Sequence, residues 1–130
     1  MVPPAVWKEV VDPALTAPGA REIAGRIWIE VVTPEQKAVA PLLILLGAGE
    51  AEAIALAQGE PSAILLLDDL RARKIVARLN LRRMGTIALL GRAKRAGLVQ
   101  KLKPLLEGLP DCGIHIRKEL LEAALKDAGE

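Results

Sequence analysis

Two acidic residues, Asp68 and Asp69, directly follow the apolar run of residues 63–67 and are the first candidates for chemistry. An aspartate between a strand and a helix commonly caps the helix by accepting backbone N–H bonds. A cap accounts for one acid but not for two, and neighbouring side chains point in different directions. We therefore predict that Asp68 serves a site and that Asp69 caps the helix, with the reverse assignment left open.

Three glutamates are further candidates. Glu50 and Glu52 lie near the start of an Ala-rich predicted helix, about 200° apart around its axis, so they cannot face the same point. The helix dipole explains an acid at position 50. Glu52 shares a surface with Ala55 and Leu56 that is predicted to be buried, and a carboxylate there requires a cation. Glu9 fits a solvated polar face equally well on the residues alone.

The ligand chemistry of these acids favours a hard cation. With one cysteine, Cys112, and one histidine, His115, the chain has no Cys/His set for zinc. Carboxylates without such partners suit Mg²⁺ or Mn²⁺, which take oxygen ligands. Such ions lower the pKa of a bound water and orient it for attack on a phosphodiester. The acids therefore predict phosphoryl chemistry.

Helices that alternate with two predicted strands must position these acids. Residues 27–32 and 63–67 have the density of β-branched or apolar residues that buried strands show, and the second run is expected to be covered on both faces. Helices are predicted at residues 3–11, 34–46, 50–58, 70–79, 86–96, 98–109 and 116–128, with a break at Pro41 and an interruption near Pro104. Residues 12–19 are predicted to form a loop and residues 81–84 an edge segment. This order predicts one α/β domain over residues 1–130, a three-layer Rossmann-like sandwich with a parallel sheet.

Charge is distributed unevenly along the chain. Residues 70–106 hold eleven basic side chains and no acidic one, whereas the other 93 residues hold 7 basic and 16 acidic ones. This polarity predicts that a polyanion binds one side of the molecule, although a solvated basic surface is the alternative. The candidate nucleic-acid-binding residues are Arg71, Arg73, Lys74, Arg78, Arg92, Lys94 and Arg95.

Several other classes of protein are disfavoured. Gly47-Ala48-Gly49 lacks the lysine and the spacing of a nucleotide-binding loop. The apolar runs are shorter than the roughly 18 residues of a membrane-spanning helix, and no secretory leader opens the chain. A single cysteine indicates a reducing compartment. We expect a cytoplasmic protein with no membrane association.

Three motifs resemble the toxin-like branch of PIN-domain proteins. They are Val2-Pro3-Pro4-Ala5-Val6-Trp7-Lys8-Glu9-Val10, Gly49-Glu50-Ala51-Glu52-Ala53-Ile54-Ala55-Leu56-Ala57, and Leu66-Leu67-Asp68-Asp69 with Arg73 and Ala77. The resemblance implies a PIN-like fold and a Mg²⁺- or Mn²⁺-dependent ribonuclease, commonly the dimeric toxin of a toxin-antitoxin pair. It implies that Glu9, Glu52 and Asp68 or Asp69 are metal ligands, with Glu9, Glu52 and Asp68 in catalysis.

The sequence departs from that family at its beginning. Family members begin with a strand that ends in an aspartate, followed by one or two helices, and only then reach the segment that matches Val2-Pro3-Pro4. Three outcomes follow: a longer natural protein that is active, a sheet completed by a second copy of the chain, or a non-catalytic module that binds RNA or an antitoxin. We expect a homo-oligomer, because exposed strand edges promote pairing.

Overall fold

The computed structural model describes residues 1–11 and 19–130, so the predicted loop at residues 12–19 lies outside the described residues except for Gly19. The described chain divides into two compact units, Met1–Arg83 and Met84–Glu130. The organisation as one domain over residues 1–130 stays a prediction. Among the described residues, no helix combines the length and the apolar character needed to cross a bilayer.

The first unit is built around a strand–helix–strand segment. Its elements are α1 (Pro4–Val11), α2 (Ala20–Ala24), α3 (Gln36–Val39), a 3₁₀ helix (Leu42–Ile44), α4 (Ala48–Gly59), β1 (Leu65–Leu66), α5 (Leu70–Arg78) and β2 (Arg83–Met84), whose second residue begins the next unit. The two strands pair in parallel, and Leu65 N–H donates to Arg82 O at 3.0 Å. A helix between parallel strands is the basic α/β unit, so the predicted α/β class is confirmed.

Helix α4 forms the centre of the first core. Ala51 and Ile54 are fully buried on it, and Leu65 of β1 and Val76 of α5 pack in the same cluster. The prediction of a buried Ala-rich helix is confirmed. Alanines on α4 let its neighbours approach closely, while Ile54 is the largest side chain of α4 that is fully buried.

Local signals around α4 also gave correct predictions. The predicted helix at residues 34–46 is divided at Pro41 into α3 and the 3₁₀ helix, because proline removes a backbone donor and clashes with the preceding turn. Its start at residue 34 was wrong, since α3 begins at Gln36. Helix α5 and the segment around β2 match their predictions, whereas α2 was not predicted.

The predicted strand at residues 27–32 is wrong. Ile27 and Trp28 are 103% and 75% exposed, and the N–H groups of Arg26 and Ile29 donate to local turn carbonyls at 3.1 and 3.2 Å. Among the described residues of this run, Val31 alone forms a bridge, a parallel one to Val2. A run of β-branched residues becomes a buried strand only where a paired neighbour and a covering layer meet it.

Two predictions of burial in the first unit are also wrong. Leu66 of β1 is 59% exposed although its neighbour Leu65 is buried, so the described residues cover β1 on one face. Alternate residues of a strand point to opposite faces, which explains why one leucine is inside and the next is outside. The sequence pattern of α5 predicts an inward face of Ile75, Val76 and Leu79. Leu79 is 38% exposed, whereas Val76 is buried as predicted, together with Ala72.

The second unit consists of helices from Thr86 onward. It contains α6 (Thr86–Arg95), α7 (Lys103–Gly108), a 3₁₀ helix (Leu109–Cys112) and α8 (Lys118–Asp127). Leu102 and Leu106 are its most buried side chains, both at 1% exposure. The predicted helix at residues 98–109 is corrected: it begins at Lys103, with Pro104 in its first turn. Proline suits that position, where its missing N–H has no helical acceptor.

Candidate active site

The junction between β1 and α5 holds the two aspartates. The Asp69 carboxylate accepts a hydrogen bond from Ala72 N–H at 2.7 Å, and its extended backbone (φ −58°, ψ 125°) is that of an N-cap. The prediction that Asp69 caps the helix is confirmed. Asp68 is exposed at the carboxyl end of the strand, the end at which α/β folds place ligands.

One arginine side chain of α5 turns back towards the same end of β1. The Arg73 guanidinium donates to the carbonyl of Leu67, the residue before Asp68, at 2.9 Å. This contact fixes a positive charge beside the aspartate pair. Arg71 reaches the Leu45 carbonyl at 3.5 Å, the outer limit of a hydrogen bond. Lys74 and Arg78 are exposed on the same helix.

Glu52 lies between α4 and the start of α1. Its Oε2 accepts a hydrogen bond from Ala5 N–H at 2.8 Å. Pro3 and Pro4 have no N–H, so Ala5 carries the first backbone donor of α1, and a helix leaves such donors without an internal partner. The carboxylate also lies at the positive end of the α1 dipole. Glu52 therefore caps α1 from a different helix.

Glu9 lies over a glycine of α4. A Cβ added to Gly49 would come within 3.3 and 3.5 Å of the two Glu9 carboxylate oxygens and 3.2 Å of Val6 Cγ2. The lack of a side chain at position 49 thus permits the close packing of α1 on α4. Glu9 is exposed, and its carboxylate is held next to the first turn of the helix that carries Glu52.

The described carboxylates do not form a complete cation site by themselves. Over residues 1–11 and 19–130, no group of three or more His, Cys, Asp or Glu side chains is close enough to hold a metal ion. The donor chemistry, carboxylate oxygens alone, fits Mg²⁺ or Mn²⁺ in kind. The grouping of Glu9, Glu52, Asp68 and Asp69 around one ion stays a prediction.

The predicted RNA-binding residues of the second unit differ in their surroundings. Arg92 and Arg95 are exposed on α6. The Lys94 ammonium, in contrast, is bound by the Glu130 carboxylate and donates to Gln100 O at 3.0 Å. Sequence reasoning missed Glu130. Gly129, which follows the last helix, indicates a chain turn before Glu130. No residue near Glu130 in the sequence indicates that its partner is Lys94.

One family model matches the whole chain. DUF3368, described as a PIN domain, matches residues 1–130. The chain belongs to the PIN-domain family. No curated protein and no solved structure matches it closely enough for comparison.

Membership of the PIN-domain family indicates what the carboxylates and the basic helix α5 do in general. PIN domains have a nuclease-type function on nucleic acid and are generally dependent on divalent metal ions. In this PIN domain, the strand-end aspartate pair and the Arg73 contact adjoin one another on β1 and α5. A metal-dependent nuclease needs carboxylate oxygens for the metal ion and positive charge for the nucleic-acid phosphates. Both kinds of side chain lie at the junction of β1 and α5.

Proposed function

We propose that this PIN domain is a Mg²⁺- or Mn²⁺-dependent endoribonuclease that acts in the cytoplasm as the toxin of a toxin-antitoxin pair. The observation that carries the proposal is the PIN-domain match over residues 1–130. The junction of β1 and α5 supports it, because an acidic pair and a run of basic side chains adjoin there.

The proposal assigns different roles to the acidic and the basic side chains. Asp68, Glu52 and Glu9 are the catalytic carboxylates, and together with Asp69 they supply the metal ligands. A bound divalent cation would activate water and neutralise the leaving oxygen. Arg71, Lys74 and Arg78 bind phosphates of the substrate strand, since basic side chains release counterions from the nucleic-acid backbone. Arg73, anchored on Leu67, holds positive charge near Asp68.

Exposed apolar side chains on the first unit support the proposal that it binds a protein partner. Ile27 and Trp28 are exposed in one turn, Ile44 and Leu45 are 82% and 55% exposed near α4, and Leu66 opens one face of β1. Contiguous or clustered apolar surface commonly marks interaction sites. An antitoxin segment or a second copy of the chain is the partner that the proposal assigns to these surfaces.

Calorimetric titration of the chain with Mn²⁺ tests the metal requirement. Asp68→Asn keeps the size of the side chain and removes its charge, and Glu35→Gln is the control, because Glu35 is an exposed carboxylate paired with Lys37 on the same unit. We expect micromolar binding by the wild type and by Glu35→Gln, and loss of binding by Asp68→Asn. Binding that is equal in all three proteins would remove Asp68 from the site.

A non-catalytic binding module is the second candidate. The observation that favours it is the use of Glu52 as a helix cap, together with the lack of a group of three acids among the described residues. Cleavage of a labelled single-stranded RNA separates the two functions. An enzyme cleaves only with Mn²⁺ and loses activity as Asp68→Asn, whereas a binder retains RNA at the same affinity with Mn²⁺ or with a chelator.

A further inference from the structure

The Glu130 carboxylate is held by donors from two other segments of the second unit. Its Oε1 accepts from Leu102 N–H at 2.7 Å and from the Lys94 ammonium, and its Oε2 accepts from Lys103 N–H at 3.0 Å. The side chain keeps 17% of its accessible surface, and that of Lys94 keeps 21%. These contacts shield the charge of Lys94, a residue predicted to bind RNA.

The turn after α8 brings Glu130 into this position. Gly129 has a φ of +73°, a conformation that side chains disfavour. Glu130 N–H donates to Leu125 O at 2.9 Å and Gly129 N–H to Lys126 O at 3.1 Å, which together form a Schellman motif. The motif reverses the chain, so the Glu130 side chain points back to Lys94 and Leu102.

A basic cleft surrounds this contact. It has a volume of about 520 Å³, and three lysines line it, Lys94, Lys101 and Lys103. Glu107 and Glu130 are its acidic lining residues, and Glu107 forms an exposed ion pair with Lys103 at 3.8 Å. Three lysines and two glutamates leave the cleft with a net positive charge that favours oxyanions, and the Glu130 carboxylate is the oxyanion that Lys94 and the Leu102 and Lys103 amides now hold.

We propose that Glu130 is an autoinhibitory contact, in which its carboxylate occupies the place of an RNA phosphate in the cleft of Lys94, Lys101 and Lys103. RNA must displace the Glu130 side chain to bind in this cleft, and the displacement frees the Lys94 ammonium. The inference rests on the proposed action on RNA. It assigns a regulation that is independent of the aspartate pair on the first unit.

Fluorescence anisotropy of a labelled single-stranded RNA, in low salt with a chelator, tests the inference. Glu130→Gln removes the negative charge and keeps an acceptor. Glu122→Gln is the matched control, since Glu122 lies on α8, the helix that precedes Glu130, and also pairs with a lysine, Lys118, at 3.8 Å. We expect Glu130→Gln to bind RNA about three- to tenfold more tightly than Glu122→Gln, with a steeper dependence on salt. Equal affinities of the two variants would overturn the inference.

Lys94→Gln provides a second test through a double-mutant cycle. In the wild-type background Glu130 already shields this lysine, so Lys94→Gln should change RNA affinity by less than about twofold. In the Glu130→Gln background, the same change should remove the gain in affinity. A loss of the same size in both backgrounds would contradict the shielding of Lys94.

Measurements on the unaltered chain cover the case in which Glu130→Gln does not fold. RNA that displaces the carboxylate must shift the NMR signals of the Leu102 and Lys103 amides and of Glu130 Cδ. If these signals stay unchanged at saturating RNA, the inference is wrong. Binding without metal is independent of cleavage. Tighter binding by Glu130→Gln, with no Mn²⁺-dependent cleavage by the wild type, would keep this inference and end the nuclease proposal, whereas no RNA binding by either chain would end the inference.

Discussion

The Glu52 carboxylate on α4 lies 2.8 Å from the Ala5 amide at the start of α1, although the two residues are 47 positions apart in the chain. The contact joins the two helices that carry Glu52 and Glu9. It gives Glu52 a structural role whether or not the residue also binds a cation, because a carboxylate oxygen has more than one lone pair.

Replacement of Glu52 separates these two roles. Glu52→Ala leaves the Ala5 N–H without its acceptor and should lower the free energy of unfolding by about 1–2 kcal/mol. Glu52→Gln retains an acceptor and should lose less. Urea unfolding measures both. If Glu52→Gln is nearly as stable as the wild type but loses Mn²⁺ binding, the carboxylate is a ligand as well as a cap; equal stability of all three proteins would contradict the cap.

The contact of α1 with Gly49 predicts a difference between two glycines of α4. Alanine is normally favoured over glycine in a helix by about 0.5–1 kcal/mol. Gly59→Ala should show this gain, because a Cβ there meets nothing within 4 Å. Gly49→Ala should be less stable than Gly59→Ala by about 1–3 kcal/mol, since its Cβ presses on Val6 and Glu9. Thermal unfolding of the two variants checks the order, and a more stable Gly49→Ala would refute the close approach.

Replacement of Asp69 tests whether this residue caps α5 while Asp68 serves the site. Asp69→Ala removes the acceptor for Ala72 N–H and should destabilise the chain by about 1 kcal/mol, whereas Asp69→Ser replaces the cap and should lose little. Under the proposed function, Asp69→Ser keeps more RNA cleavage than Asp68→Ser. Denaturant unfolding and a cleavage assay of the three variants measure the two effects, and the opposite order of activity would exchange the roles of the aspartates.

Acid titration should reveal the Glu130 contact. The hydrogen bond from Leu102 N–H, followed by those from Lys94 and Lys103 N–H, lowers the pKa of Glu130 from 4.5 to about 2. A lowered pKa in the folded state means that the contribution to stability is complete above about pH 4.5 and is lost as the pH falls through about 2.

The Leu102 amide signal, followed by NMR between pH 5 and about pH 2, checks this direction. In the wild type the amide should keep its position until the lower part of the range and then move. Glu122→Gln should behave in the same way, whereas Glu130→Gln should show no such transition. A wild-type transition centred near the ordinary pKa of glutamate would mean that the contact is not formed in solution.

Local patterns predicted most of the fold where the determining contacts are local. The Pro41 break, helix α5 and its Asp69 cap depend on neighbouring residues alone, and the sequence shows them. The run at residues 27–32 failed because a strand depends on a partner that its own residues do not specify. For the Glu52 carboxylate the sequence predicts a cation, which stays a prediction; the partner in the structure is the Ala5 amide, 47 positions away. No local period predicts such a pair.

The bridge between Val2 and Val31 closes the chain on itself. Val2 N–H donates to Glu30 O at 2.8 Å and Val2 O accepts from Val32 N–H at 3.0 Å, so the chain leaves and returns at the same place. Loop-closure entropy grows slowly with length, and each doubling of a flexible loop costs only about 0.6 kcal/mol. The exposed turn at Ile27 and Trp28 lies within this closed span. A short peptide inserted between these two residues would therefore cost little closure entropy, and it would interrupt the apolar surface that the proposal assigns to a partner.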